Sequence, residues 1–266
     1  MRAPPVPVTG VRQQRRVRAV AWIAIAALLF CAATTLTIAA CASMSSKGGM
    51  PMPGGWTMSM AWARMCGQTW RGAAASFLGM WSAMTVAMML PALMLALWRC
   101  RAAAACAAAA QAEWFAVRVG AGYFAVWIAL GVVVYPLGVA LAMLEMRCPV
   151  LARAVPFAMG LVVLLAGAFQ LSASKARYLA CCRAAAPRHL AWREGVRLGW
   201  HCIGCCAGIT AMVLVMGVMD LRVMAFAAAA ITAERLVRNG ERVARIVGFV
   251  VMAVGAVLLA QASGVA

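Results

Sequence analysis

Six stretches of this chain run for more than 20 residues without a charged side chain: 20–40, 72–98, 119–144, 154–174, 198–219 and 246–266. About 20 apolar residues are what an α-helix needs to cross the ~30 Å hydrocarbon core of a bilayer. Inside that core every backbone N–H and C=O must find its partner within the protein, so continuous apolar runs predict helices. The alternating pattern of a membrane β-barrel is absent. A seventh stretch, 221–237, is shorter and carries Glu234 and Arg235 near its end. The expected fold is all-α, a polytopic transmembrane helical bundle of about seven helices. Composition excludes a water-soluble chain: 66% of the residues are apolar and 11% charged, where a soluble domain carries about 25%.

The net charge of +18 comes from 24 basic against 6 acidic residues. On a soluble module with stacking aromatics this excess would point to nucleic acid. Here the basic residues sit in short connections between apolar runs, where they set orientation and meet anionic lipid headgroups, so lipid and not nucleic acid is the expected partner. With the N-terminus in the cytoplasm, 18 basic residues lie inside and six outside: Lys47, Arg64, Arg71, Arg147, Arg153 and Arg222. The expected arrangement is a multi-pass membrane protein with a basic N-terminus 1–19, a first helix 20–41, an outer loop 42–71 and a helical membrane domain 72–266. Ile38-Ala39-Ala40-Cys41 is similar to a lipoprotein cleavage site. The apolar run before it is longer than the 7–15 residues of a signal peptide, which favours a retained helix.

The chain holds 11 cysteines and 20 methionines, more soft sulfur than hydrophobicity demands. The outer loop carries Met44, Met50, Met52, Met58, Met60 and Met65, six thioethers in 22 residues, followed by Cys66. Thioethers bind soft Cu(I) without deprotonation and do not form disulfides, which suits an oxidising periplasm. Gly48-Gly49, Pro51, Pro53 and Gly54-Gly55 argue against a folded domain there, leaving little apolar core for methionine to fill. In the second run Met80, Met84 and Met88 recur every four residues on one helical stripe, with Met89, Pro91 and Met94 following. That stripe is either a packed bundle face or a set of ligands.

The strongest local pattern is Gly199-Trp200-His201-Cys202-Ile203-Gly204-Cys205-Cys206. On a regular helix His201, Cys202, Cys205 and Cys206 spread over about 140°, too wide to converge on one tetrahedral ion. This makes zinc the weaker candidate, since a structural zinc site needs four converging ligands. A two- or three-coordinate Cu(I) site is easier to build, and Cys181-Cys182 can add a thiolate. The same helix continues with Ile209, Met212, Met216 and Met219, so sulfur recurs over 17 residues, or ~26 Å at 1.5 Å per residue. Asp220 then attracts a cation or is simply solvated. Gly204 and Gly208 form a small-xxx-small pair that permits close helix contact.

Elsewhere, His189 reads as solvated, and Glu113 and Glu194 as connection residues. Glu234 is expected to pair with Arg235, Arg238 or a neighbouring helix. Cys148 could bond Cys66, although spacing does not define connectivity. No phosphate-cradling loop, nucleophile elbow, triad or carboxylate dyad can be assembled, so no catalytic residues are assigned.

Several motifs occur in order: Trp81-Ser82-Ala83-Met84-Thr85-Val86-Ala87-Met88-Met89-Leu90-Pro91, Gly122-Tyr123 with Trp127, and Ala166-Gly167-Ala168-Phe169-Gln170 with Lys175 and Cys182-Arg183. Cys202-Ile203-Gly204-Cys205-Cys206 and Gly217-Val218-Met219 with Glu234-Arg235 complete the set. Together they resemble the bacterial predicted metal-binding integral membrane protein family, a domain-of-unknown-function family with some members described as copper chaperones. The resemblance implies an inner-membrane protein that supplies copper to exported copper enzymes such as tyrosinase or an oxidase.

The expected function is therefore Cu(I) handling. Met50, Met52, Met58 and Met60 would lie on an outer capture or delivery surface. Met84, Met88, Met212, Met216 and Met219 would lie within the bundle, with His201, Cys202, Cys205, Cys206, Cys181 and Cys182 towards the inner face. Two other readings stay open: a membrane thiol-redox protein using Cys202 and Cys205, and a non-metal assembly partner in a membrane complex.

Overall fold

The computed structural model describes residues 8–45, 48–62, 64, 67–104, 109–183 and 190–264. Eight α-helices account for most of them: α1 (Val8–Ser45), α2 (Trp70–Ala104), α3 (Ala109–Arg147), α4 (Pro149–Gln170), α5 (Ala173–Arg183), α6 (Ala191–Gly217), α7 (Leu221–Leu236) and α8 (Gly240–Ala262). The chain is an all-α bundle, and six helices (α1, α2, α3, α4, α6 and α8) are long and apolar enough to cross a membrane. The seventh expected span is α7, whose 16 residues extend about 24 Å, short of the hydrocarbon core. Leu28, Leu137 and Phe249 are 69%, 64% and 63% exposed on the outside of the bundle. An apolar perimeter of this kind suits lipid rather than water.

Helix α6 lies at the centre, packed against α3, α4, α5 and α7. Two close seams hold the bundle together. Between α3 and α6, a Cβ added to Gly122 would stand 2.7 Å from the Trp192 carbonyl, and one on Gly199 3.0 Å from that of Tyr123. Between α4 and α8, a Cβ on Gly167 would stand 2.6 Å from the Met252 nitrogen, and one on Gly255 2.5 Å from that of Leu164. Small residues on facing stripes let backbones approach, which is how helices associate where apolar burial alone supplies no drive.

Two features depart from the sequence expectation. The stretch read as an inner connection contains α5, and α6 begins at Ala191, ahead of the expected start at residue 198. The outer loop is also partly folded. Strands β1 (Met50–Pro51) and β2 (Thr57–Met58) pair antiparallel, turned by Gly54 and Gly55 at φ +107° and +76°. Met52 and Met58 are buried with Ala142 and Ala152 beneath Trp56 and Trp62, and the Trp56 indole donates to the Ala152 carbonyl at 2.8 Å. The turn residues that argued against structure build a tight hairpin, and its methionines fill a small core of their own.

Candidate functional site: a buried thiol cluster

Cysteines three and four apart on α6 fall on its inward side, and Cys202, Cys205 and Cys206 are all buried. The Cys202 and Cys206 sulfurs lie 3.9 Å apart. Cys205 is buried beside them, and Cys182 of α5 is buried on the facing side. Cys202 also touches the Met89 thioether of α2 at 3.9 Å and shares a 2.9 Å hydrogen bond with the Tyr123 hydroxyl of α3. Met89, Cys202 and Cys206 thus form a chain of sulfur contacts, with Cys205 and Cys182 buried in the same core. Gly204 makes the α5 side of it possible, because a Cβ there would meet the Tyr178 ring at 2.7 Å.

A guanidinium lies among these thiols. Arg235 of α7 donates to Cys202 at 2.8 Å and reaches Cys182 and Cys206 at 3.8 Å each. Its neighbour Glu234 is turned away, accepting from the Lys175 ammonium at 2.7 Å and the Gln170 amide at 2.9 Å. The same ammonium donates to the Cys205 carbonyl at 2.7 Å. Burial works against the Lys175 charge, but Cys205 and Glu234 outweigh it and raise its pKa above that of an ordinary lysine. Arg183 anchors the assembly by donating to the Glu234 carbonyl at 2.8 Å and to that of Val237, satisfying carbonyls at the end of α7 that the helix itself leaves free.

The structure brings together four of the six expected inner ligands, Cys182, Cys202, Cys205 and Cys206. Cys181 is exposed. His201 stands apart, its ring 6.2 Å from that of Tyr178 and its Nδ1 without a partner among the described residues. Among the described residues no three His, Cys, Asp or Glu side chains are arranged around a single ion position.

Sulfur also lines two cavities. One of about 460 Å³ is bordered by Met44, Gln68, Phe77, Met80 and Met219. A second, of about 20 Å³, is bordered by Trp81, Met84, Met88, Met89 and Trp127, with Thr210, Val213 and Leu214 facing from α6. Met212 is buried and Met216 packs against the main core, and neither borders these cavities. In the hairpin Met52 and Met58 are buried and Met50 is 40% exposed. Met60 lies in a 3-10 turn, Met60–Trp62; its side chain, together with Met65, Cys66 and His189, lies outside the described residues.

One sequence reading is corrected, and two residues whose roles were left open find their partners. Glu194 is fully buried on α6 and paired with Arg197 at 2.6 Å, not a residue of a connection. Glu234 pairs with Lys175 of α5, the neighbouring-helix partner among the three alternatives expected for it. Asp220 caps α7, accepting from the Arg222 and Val223 backbone N–H groups, a standard N-cap role. Tyr123, Lys175 and Arg235 belong to the ordered motifs, but their spacing carried no sign that they meet at the thiols. Met89 lies outside the four-residue methionine stripe.

Taken together, these features define a class: an all-helical, membrane-type bundle that holds a cation inside a buried cluster of soft sulfur. The sequence model of PpoB2, a copper chaperone family, matches residues 78–258, and the chain belongs to that family. The match spans every residue of the thiol cluster. Membership makes this a copper-handling protein and not an enzyme. No curated protein and no solved structure matches the chain.

Proposed function

We propose that this protein binds Cu(I) as cargo through cysteine and methionine sulfur in the bacterial inner membrane and delivers it to an exported copper enzyme such as a tyrosinase or oxidase. The observation that carries the reading is the charge at the cluster. Arg235 is 8% exposed and has no carboxylate partner among the described residues, while the carboxylates of Glu234 and Glu194 are engaged by Lys175 and Arg197. A buried cation without a counter-charge is costly. Cu(I) bound by two thiolates carries one net negative charge and would complete the pair, whereas zinc with four thiolates carries two. The low coordination number also suits sulfurs strung in a chain.

The positive-inside distribution sets the thiols towards the cytoplasm and the methionine hairpin towards the periplasm. On that orientation delivery takes place from the outer face. The test is metal analysis and X-ray absorption on anaerobically purified, detergent-solubilised protein, grown in copper and in zinc, beside a Cys202/Cys205/Cys206 triple serine variant. Stoichiometric copper with two or three sulfur neighbours, lost in the variant, is expected. A folded wild type with no copper after growth in copper would overturn the proposal.

A further inference from the structure

The sulfur in the bundle does not stop at the thiols. The 20 Å³ cavity borders Met84, Met88 and Met89 on one broad face of α2, since residues 81, 84, 85 and 88 follow the helical i, i+3, i+4, i+7 pattern. All three methionines are buried, at 5%, 7% and 2% exposure. A cavity of this size has room for one water-sized occupant. Trp127, itself 2% exposed, closes the wall of the cavity together with Trp81. The ring of Trp81 in the same wall is pinned by its N–H bond to the Trp127 carbonyl at 2.9 Å.

From this geometry we propose that the cavity is a second metal site, an all-thioether Cu(I) site built by Met84, Met88 and Met89. It rests on the copper reading of the thiol cluster and adds a distinct place for the same cargo. Three neutral thioethers leave the complex with the single positive charge of Cu(I), unlike the anionic thiolate site, so the ion is held by soft donors alone and a nearby cation would weaken it. Arg235 is accordingly on the thiol side, where its contacts are Cys182, Cys202 and Cys206. Met89 belongs to both environments, bordering the cavity and touching the Cys202 sulfur at 3.9 Å. Met80, one helical turn before Met84, borders the larger cavity that also receives Met44 and Met219. Thioethers therefore continue at steps of about 6 Å along α2 from that cavity to the cysteines.

The experiment uses the full chain with 13C-methyl-labelled methionine, titrated with Ag(I), a redox-silent d10 stand-in for Cu(I). It is run on wild type and on a Cys182/Cys202/Cys205/Cys206 serine variant, with resonances assigned by Met→Leu substitutions that conserve volume. Movement of the Met84, Met88 and Met89 methyl signals in both proteins, saturating at one Ag(I) equivalent in the four-serine variant, is expected. If that variant does not fold, Met84 in the wild type is the reporter and should move at the second equivalent. Ag(I) binding that disappears with the thiols, or leaves Met84 unmoved through two equivalents, would overturn the thioether site and leave the thiol reading standing. A folded wild type that takes no Ag(I) would overturn both.

Discussion

The Arg235 guanidinium donates to the Cys202 sulfur across 2.8 Å, and no carboxylate accompanies it among the described residues. Its neighbour Glu234 serves a different cation, Lys175, at 2.7 Å. Two adjacent residues of α7 thus face two tasks: Glu234 locks α5 to α7, and Arg235 places a fixed positive charge beside the thiols. Such a charge strengthens hydrogen bonds to sulfur and stabilises an anionic metal–thiolate complex.

Replacing Arg235 should therefore act on copper and not only on folding. Arg235→Met is expected to purify with markedly less copper than wild type, while Arg235→Lys keeps part of it. Metal content and X-ray absorption of the two variants check this; full copper with an unchanged sulfur count in a folded Arg235→Met would sink the counter-charge argument.

The Lys175–Glu234 pair is nearly inaccessible, with both side chains at 1%. Glu234→Leu alone leaves the ammonium without its carboxylate, and breaking one side of a buried pair costs about 3–5 kcal/mol. Combining it with Lys175→Met should recover much of that loss, because an apolar pair of similar volume needs no desolvation. Thermal melts of the two single variants and the double variant in one detergent form the cycle. Additive losses would contradict a direct pair.

Gly204 admits the Tyr178 ring, so Gly204→Leu should push α5 away and uncover Cys182. Cys181, exposed beside it, is an internal standard for maleimide labelling read by peptide mass spectrometry. In wild type Cys181 labels and Cys182 does not; in Gly204→Leu both label; adding Tyr178→Ala returns Cys182 to protection. Unchanged labelling in Gly204→Leu would mean that the contact does not position α5.

In the hairpin, Met58 at 2% and Met50 at 40% exposure should oxidise at different rates in peroxide. Met50 converts to the sulfoxide first, and Met58 follows only after Trp56→Ala removes the bond to Ala152 and the ring above it. Equal rates in wild type would show that the hairpin is not docked on α3 and α4.

Much of the architecture was readable locally. A bilayer leaves backbone polar groups no outside partner, so uncharged runs of sufficient length could only become helices, and 3.6-residue periodicity alone put Cys202, Cys205 and Cys206 within reach of one another on α6. The shorter α5 and the hairpin were less legible, because a polar helix held by tertiary contacts and a turn rich in Gly and Pro look like connections. What only the tertiary structure decided is the surroundings of those cysteines. Cys202 meets Arg235, Tyr123 and Met89 across sequence separations of 33, 79 and 113 residues. Periodicity carries information over a few turns of helix. Which helices become neighbours, and whether Glu234 turns to Arg235 or to Lys175, depends on the glycine-lined seams that seat one helix against the next and on which partners those seams bring within reach of each buried charge.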